Sequence, residues 1–409
     1  MIRYVGLDVH KQWTQVAWHL PDGSVQRERI ATQPALLREL ADRLSPQDTV
    51  ALESTTNTFA IARLLRPRAG RVLISNPLKT RLIAESHVKT DKVDADVLVQ
   101  LARSGFLPTV WQPPEDLELV RRRAAHHAAI TRQITQVKNR IHAVLHRNLL
   151  EPPVADLFCQ RGRAFLRRAD LPLDEQVQLE IDLEILQHLE AAQAQARGAL
   201  ARLACDRPAA QLLMSVPGID YPTAVGIMAA IGEIARFPSS RKLVSYFGLN
   251  PIVSQSGQRC WTGRISKQGR VHARWLLVEA AHCAVRSSGP LQAFYRRVKA
   301  RKGTNVAVVA AARKLTVILW HILRSGEPYR YAPERTTREK LSRMRYHATG
   351  RKATGGVPKG TPRSEHYGTG RRGRQASAQA DRKRLQAHQN DYERLIEGRY
   401  GDAAPAETS

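Results

Sequence analysis

Three short apolar runs organise the first hundred residues: Tyr4-Val-Gly-Leu-Asp8, Thr49-Val-Ala-Leu-Glu53 and Arg71-Val-Leu-Ile-Ser75. Each reads as a core strand, and helical patterns separate them, over Ala35 to Leu44 and from the end of the second run to about Leu65. Thr14 to Leu20 alternates as a half-buried strand does, and Pro21-Asp-Gly-Ser24 is the turn of a hairpin. A hairpin followed by strand–helix alternation leaves few architectures open. The expectation is a mixed α/β sheet with helices on its faces.

Two of these strands end in an acid, and the stretch HVKTDKVDADVLVQL, residues 87–101, adds three aspartates within six residues of a very basic chain. Read as a helix, it gathers Val93, Val97, Leu98 and Leu101 on one apolar face. Asp94 falls inside that sector, Asp91 lies one turn back at its edge, and Asp96 points away into water. A carboxylate on a buried face needs a cation, and a nearby arginine would serve for one of them. Asp8 and Glu53 complicate the count. Acids at the carboxyl ends of adjacent strands share one rim of the sheet, and a helix across that rim adds Asp91 and Asp94. Four carboxylates so close cannot all stay ionised alone. Divalent cations, Mg²⁺ or Mn²⁺, resolve this with oxygen ligands, and two metals about 4 Å apart clamp both oxygens of a phosphodiester displacement.

Charge names the partner class. The 409 residues carry a formal net charge of +27, an excess that opposes compact folding unless a polyanion is bound. Nucleic acid is the usual one. An anionic membrane is the competitor, but the best apolar run, Val306 to Leu323, is interrupted by Arg313 and Lys314. No signal peptide is expected, since Ile2 to Asp8 runs directly into a strand pattern. The four cysteines form no C-x-x-C pair, and the fourteen histidines show no metal-ligand spacing. The expectation is a reducing, cytoplasmic setting without disulfides or structural zinc.

From Leu117 to about Leu150 the pattern turns helical, with Ile130, Ile134, Val137, Ile141 and Val144 at the 4-3-4-3 spacing of a coiled-coil seam. A second long helix is expected from about Asp174 to Ala204. The pair forms either a projecting, dimerising hairpin or an internal helical bundle. The chain therefore divides into an α/β domain (1–112), a helical hairpin (113–207), a mainly α unit (208–330) and a basic tail (331–409). The tail has too few apolar residues to order itself, and reads as an arm for nucleic acid rather than a solubilising segment.

The third unit opens on Leu213-Met-Ser-Val-Pro-Gly-Ile-Asp220. Its Pro217-Gly218 turn is either a helix-hairpin-helix element, with backbone N–H groups for a phosphate, or a tight turn in a helical core. Beyond Leu243-Val-Ser-Tyr-Phe-Gly-Leu-Asn-Pro251 lies a loop dense in serine, glycine and cations. A serine there can bring its hydroxyl to a phosphate, and Arg259, Arg264 and Lys267 can neutralise the developing charge.

Gly6-Leu-Asp-Val-His-Lys11, the acid of Leu52-Glu-Ser-Thr55, and Lys89-Thr-Asp-Lys-Val-Asp-Ala95 together resemble the amino-terminal domain of the DEDD insertion-sequence transposases. That family includes pilin-type site-specific DNA invertases and bridge-RNA-guided recombinases. The resemblance implies a RuvC/RNase H-like domain with Asp8, Glu53, Asp91 and Asp94 as its metal-binding tetrad. It extends over Leu213 to Ala281, which resembles the family's carboxy-terminal domain, whose catalytic serine precedes a glycine. Ser256 fits that position, with Ser254 and then Ser266 as alternatives. It further implies a phosphoserine-linked recombination of double-stranded DNA (element ends and target), a homo-oligomer of two or four protomers, and a non-coding guide RNA. The chemical rivals are a metal-dependent nuclease that does not use the serine and a non-enzymatic nucleic-acid-binding protein.

Overall fold

The structure, a computed structural model, describes residues 2–83, 91–256 and 259–351, and Gln379, Lys383 and Ala387 beyond them; for residues 91–93 it describes the backbone alone. Lys89, Thr90, Gly257 and the remainder of the basic tail lie outside the described residues. The chain separates into two compact units, Met1–Pro114 and Glu115–Ser409.

The first unit is a five-stranded sheet. Its elements are β1 (Tyr4–Val9), β2 (Trp13–His19), β3 (Val25–Ala31), α1 (Pro34–Asp42), β4 (Thr49–Glu53), α2 (Thr58–Leu65), β5 (Arg71–Ser75), α3 (Pro77–Ile83) and α4 (Asp91–Arg103). The strand order is β3-β2-β1-β4-β5, with β1, β2 and β3 antiparallel and β1, β4 and β5 parallel. This is the mixed α/β sheet expected from the strand–helix alternation. Alternate residues of each strand face opposite ways. Val5, Leu7 and Val9 of β1 and Val50 and Leu52 of β4 pack with Leu37 and Leu40 of α1 and Ile61 and Leu65 of α2. The intervening residues face α4: Ala51 packs with Leu98. At Gly6 an added Cβ would stand 2.2 Å from the carbonyl oxygen of Ala95, so only glycine lets α4 come so close.

Among the described side chains of α4, Ala95, Leu98 and Val99 are buried and Leu101 packs beside Leu98. Of the expected face, Val97 is half-buried, and the side chain of Val93 lies outside the described residues. The expectation that Asp96 points into water is corrected. Its carboxylate accepts from His19 Nε2 at 3.1 Å and from Arg27 Nη2 at 2.8 Å, on β2 and β3. A helical projection cannot supply those partners, because they come from strands far back in the sequence.

The second unit is helical apart from one hairpin: α5 (Glu115–Arg147), α6 (Gln160–Leu166), α7 (Leu173–Cys205), α8 (Pro208–Leu213), α9 (Tyr221–Ile231), α10 (Ser240–Tyr246), β6 (Pro251–Ser256), β7 (Arg259–Ile265), α11 (Val271–Ala284), α12 (Pro290–Ser325) and α13 (Glu334–Thr349). Arg147 meets Glu175, Arg140 meets Asp182 and Thr131 meets Gln193, so α5 and α7 run antiparallel. The seam residues Ile130, Ile134, Val137 and Ile141 are buried with Leu179 and Leu186 of α7 and Leu166 of α6. They are spent inside the chain. At the other end Val120, Ala124, Leu200 and Ala204 join the core built from α8 to α12. The helical pair expected as a separate segment ending at 207 is thus continuous with the unit that follows, because its lower half supplies that unit's core.

The segment expected as a flexible tail from 331 begins instead with α13, held by a buried Met344, by Leu341 and by polar contacts. Lys340 is 6% exposed and donates to the carbonyls of Met214 (2.8 Å) and Val216 (2.7 Å). His347 Nδ1 lies 2.7 Å from the Tyr221 hydroxyl, which also accepts from Arg197 Nε. A few apolar residues and the polar contacts of Lys340 and His347 suffice, so composition underestimated its order. Helix α12 includes the apolar run Val306 to Leu323 and is long and apolar enough to cross a membrane by length and composition. It breaks at Gly303 (φ 77°), and Ala311, Leu315, Leu319 and Ile322 are buried in the core.

Candidate active-site elements in the two units

In the first unit the carboxylates follow from strand register. Leu7 of β1 pairs with Leu52 of β4, and Asp8 and Glu53 stand one step further along these parallel strands. By strand alternation Asp8 shares the face of Gly6, and Glu53 that of Ala51, which is the face covered by α4. Asp8 is 8% exposed and Glu53 half-buried. Asp91 and Asp94 belong to the first turn of α4, one turn before Ala95 and Leu98, the residues that pack on β1 and β4. The side chain of Asp91 lies outside the described residues. Among the described residues no three His, Cys, Asp or Glu side chains stand close enough to hold a metal ion.

One neighbour was not anticipated. His10 Nε2 lies 3.0 Å from Asp8 Oδ2, and its ring packs on Trp13 with centroids 3.9 Å apart. Arg29 covers Trp13 at 3.7 Å. The motif Gly6 to Lys11 contains His10, but only the fold of β1 back onto β2 shows that it turns toward Asp8.

In the second unit β6 and β7 form an exposed antiparallel hairpin. Ser256 is opposite Arg259 at the end of the ladder, and Ser254 is opposite Trp261. Directly opposed residues share a face, so Ser254, Ser256, Arg259 and the 65%-exposed Trp261 line one side. Arg264 lies beyond a register irregularity between Thr262 and Ile265 and is exposed. Ser266, by contrast, is built into the hairpin's root. Its hydroxyl is 3.0 Å from Asn250 Oδ1, and its N–H donates to Asn250 O at 2.8 Å. Lys267 follows with a left-handed φ of 55°, its N–H donating to Gly248 O.

Pro217 and Gly218 lie in a different environment. Pro217 is buried, and a Cβ on Gly218 (φ 82°) would be 2.3 Å from Ala280 O on α11. Ile219 N–H donates to Val216 O, and Tyr221 N–H to the Asp220 carboxylate that caps α9. The Ile219 and Tyr221 amides are thus used within the protein, and the turn packs against α11.

The root of the hairpin holds a cationic group that sequence reading did not assemble. Arg121, Arg236 and Arg270 surround the hydroxyl of Tyr246. Burial brings the Arg121 guanidinium down to about 10, aided by repulsion from Arg270 and Arg236. Burial raises the Tyr246 phenol, but the three arginines outweigh it and hold the group below its ordinary value.

Residues 5–148 match the DEDD-type IS110 transposase family, and residues 210–296 match a family described as Transposase IS116/IS110/IS902. The chain is 24% identical over 345 residues to the transposase for insertion sequence element IS1328 of Yersinia enterocolitica, covering 80% of this chain and 98% of that protein. It is 27% identical over 273 residues to the pilin gene-inverting protein of Moraxella bovis, covering 63% and 74% respectively. A stretch of 124 residues is 35% identical to the transposase for IS1111A of Coxiella burnetii; it spans 29% of this chain and 34% of that protein.

Proposed function

This chain belongs with the IS110-type insertion-sequence transposases and carries both of their domains, and on that premise we propose that it cleaves and rejoins DNA through a serine-linked intermediate. Its relatives are transposases and a gene-inverting protein, so the chemistry it shares with them is DNA strand cleavage and rejoining. The observation that carries the reading is the placement of Asp8 and Glu53 side by side beneath the helix that bears Asp94. Hydrophobic packing alone gives no reason to set two acids together on that face.

Asp8, Glu53, Asp91 and Asp94 offer hard oxygen donors, which suits the divalent ions that DEDD transposases generally use, Mg²⁺ or Mn²⁺ here. A bound divalent ion would neutralise charge on the phosphate and lower the pKa of the attacking hydroxyl. Ser256 is the nucleophile in this reading, since it ends its strand exposed and opposite Arg259. Its Oγ forms a bond to phosphorus as the bond to one sugar oxygen breaks. The serine proton is lost, and the departing oxygen takes up a proton to become a hydroxyl. A hydroxyl from the exchanged strand reverses these changes and frees the serine, so no external energy source is required. Arg259, Arg264 and Lys267 hold the backbone of double-stranded DNA.

Ser256 must meet the carboxylates, within one chain or across a homo-oligomer that brings two duplexes together. In this reading the choice of site is delegated to a non-coding guide RNA, as in the guided members of the family it resembles. That agrees with a sequence that carries no RRM, KH or zinc-finger signature.

The experiment uses end-labelled DNA bearing the element's junction, with co-expressed RNA and Mg²⁺, on denaturing gels. A covalent protein–DNA adduct that disappears with EDTA, in Ser256→Ala and in Asp94→Asn is the expected result. Cleavage without an adduct that survives Ser256→Ala would make the protein a metal-dependent nuclease. Adduct formation from protein and DNA alone would remove the guide RNA from the reading.

A further inference from the structure

The cationic group at the root of the hairpin has a geometry suited to a ligand. Tyr246 closes α10, and its hydroxyl accepts from Arg270 Nε at 2.9 Å and lies 3.3 Å from the carbonyl of Ala230. Arg121 reaches in from α5, donating to Ala229 O at 2.7 Å and Ala230 O at 3.1 Å. Arg236 donates to Ile231 O at 2.7 Å, and its Cζ lies 5.5 Å from the Tyr246 ring centroid. Three guanidinium groups therefore converge on one phenol at the carboxyl end of α9. Glu233 offsets Arg236 in part, yet burial and Arg270 still hold that guanidinium below its ordinary value.

We infer that Arg121, Arg236 and Arg270 form an anion site that takes a backbone phosphodiester of the DNA strand on which Ser256 acts. The inference rests on the reading of the hairpin as the DNA-cleaving element. Arg270 is exposed, so a strand can approach it, while Tyr246 and the α9 carbonyls hold the guanidinium groups in place. Guanidinium forks match phosphate oxygens in pairs, and a bound anion relieves the mutual repulsion of the three charges. The site is also tied to the hairpin: Arg270 N–H donates to Tyr246 O, and Lys267 N–H to Gly248 O. From Asn250 to Ser256 the strand covers roughly 20 Å at about 3.3 Å per residue. At about 3.4 Å of rise per base pair, the phosphate in question lies within about six nucleotides of the one attacked.

The test is binding of the full chain to the junction duplex, followed by anisotropy as salt is varied, for wild type, Arg270→Gln and Arg270→Lys. Loss of one phosphate contact should lower the slope of log affinity against log salt by about one in Arg270→Gln and much less in Arg270→Lys. Neutral methylphosphonate linkages are then walked, one at a time, along about six nucleotides on either side of the cleavage point. One position should weaken wild type and leave Arg270→Gln unaffected. An unchanged slope, or the same methylphosphonate profile in both proteins, overturns the assignment. So does an effect seen with RNA of the same sequence and absent with DNA. If wild type fails to bind the duplex, the proposed function fails first, and inorganic phosphate alone decides the site. A rise in Tm with phosphate in wild type but not in Arg270→Gln supports it, and no difference overturns it.

Discussion

The carbonyl oxygen of Ala95 occupies the space that a side chain on Gly6 would need, 2.2 Å from where its Cβ would be. This contact sets the height of α4 above β1, and with it the position of Asp94 relative to Asp8. Gly6→Ala must therefore lift the helix or bend the strand. We expect a loss of about 1–3 kcal/mol in the first unit, with cleavage reduced further than stability explains. Thermal melting beside a cleavage assay checks both, and a variant with wild-type cleavage would show that α4 has no part in the site.

Two aspartates on one helix should behave in opposite ways. Asp96 holds His19 and Arg27, so Asp96→Asn should cost about 1 kcal/mol of stability and spare cleavage. Asp94→Asn should leave melting close to wild type and remove cleavage. Reversal of the two would exchange their roles.

Among the serines, only Ser256→Ala should prevent the covalent adduct. Ser266 bonds to Asn250 at the root of the hairpin, so Ser266→Ala should lower stability by about 1 kcal/mol and still form adduct. Mass spectrometry of the digested adduct identifies the linked residue directly, with Ser254 as the other possible attachment point on that face.

Lys340 predicts a pH dependence. Burial brings its ammonium down from 10.5 to about 8, partly restored by Asp220. Between these values the unfolded chain binds the proton more readily than the folded one, so stability rises with pH across that window. The contribution is up to about 3 kcal/mol. The neutral amine still donates to Met214 and Val216. Urea unfolding at pH about 7.5 and about 9.5 should show the rise in wild type and a smaller one in Lys340→Met.

Asp182 is 3% exposed and receives Arg140 at both carboxylate oxygens, with Nε contacts of 3.1 and 3.2 Å. The Arg140 side chain is half exposed, so Arg140→Met should cost about 1–3 kcal/mol, and Arg140→Met with Asp182→Leu should recover most of the loss. Chemical denaturation of the three variants as a double-mutant cycle measures the difference.

Much of this was open to reading in one dimension. Asp8 and Glu53 end apolar strands, and strand periodicity alone places them at one rim once the strands are adjacent. The seam from Ile130 to Val144 correctly marked a long helix, but its partner turned out to be α7 of the same chain. A 4-3-4-3 stripe states that a face will be buried and leaves open what buries it.

The residues that remained illegible act across long sequence separations. Asp96 meets His19 and Arg27, which are 77 and 69 positions away, and without those partners its charge pointed to solvent. Lys340 is 126 positions from Met214, and a basic segment therefore read as tail rather than helix. Arg121, Arg236 and Arg270 come from three separate elements, none distinguished from the chain's other arginines by its neighbours in sequence. Local pattern by itself determined which segments are strands or helices, which faces are apolar and which acids end strands, because each depends on periods of two or 3.6 residues. The tertiary structure alone decided which charges meet, because electrostatic partnership depends on distance in space and carries no period along the chain.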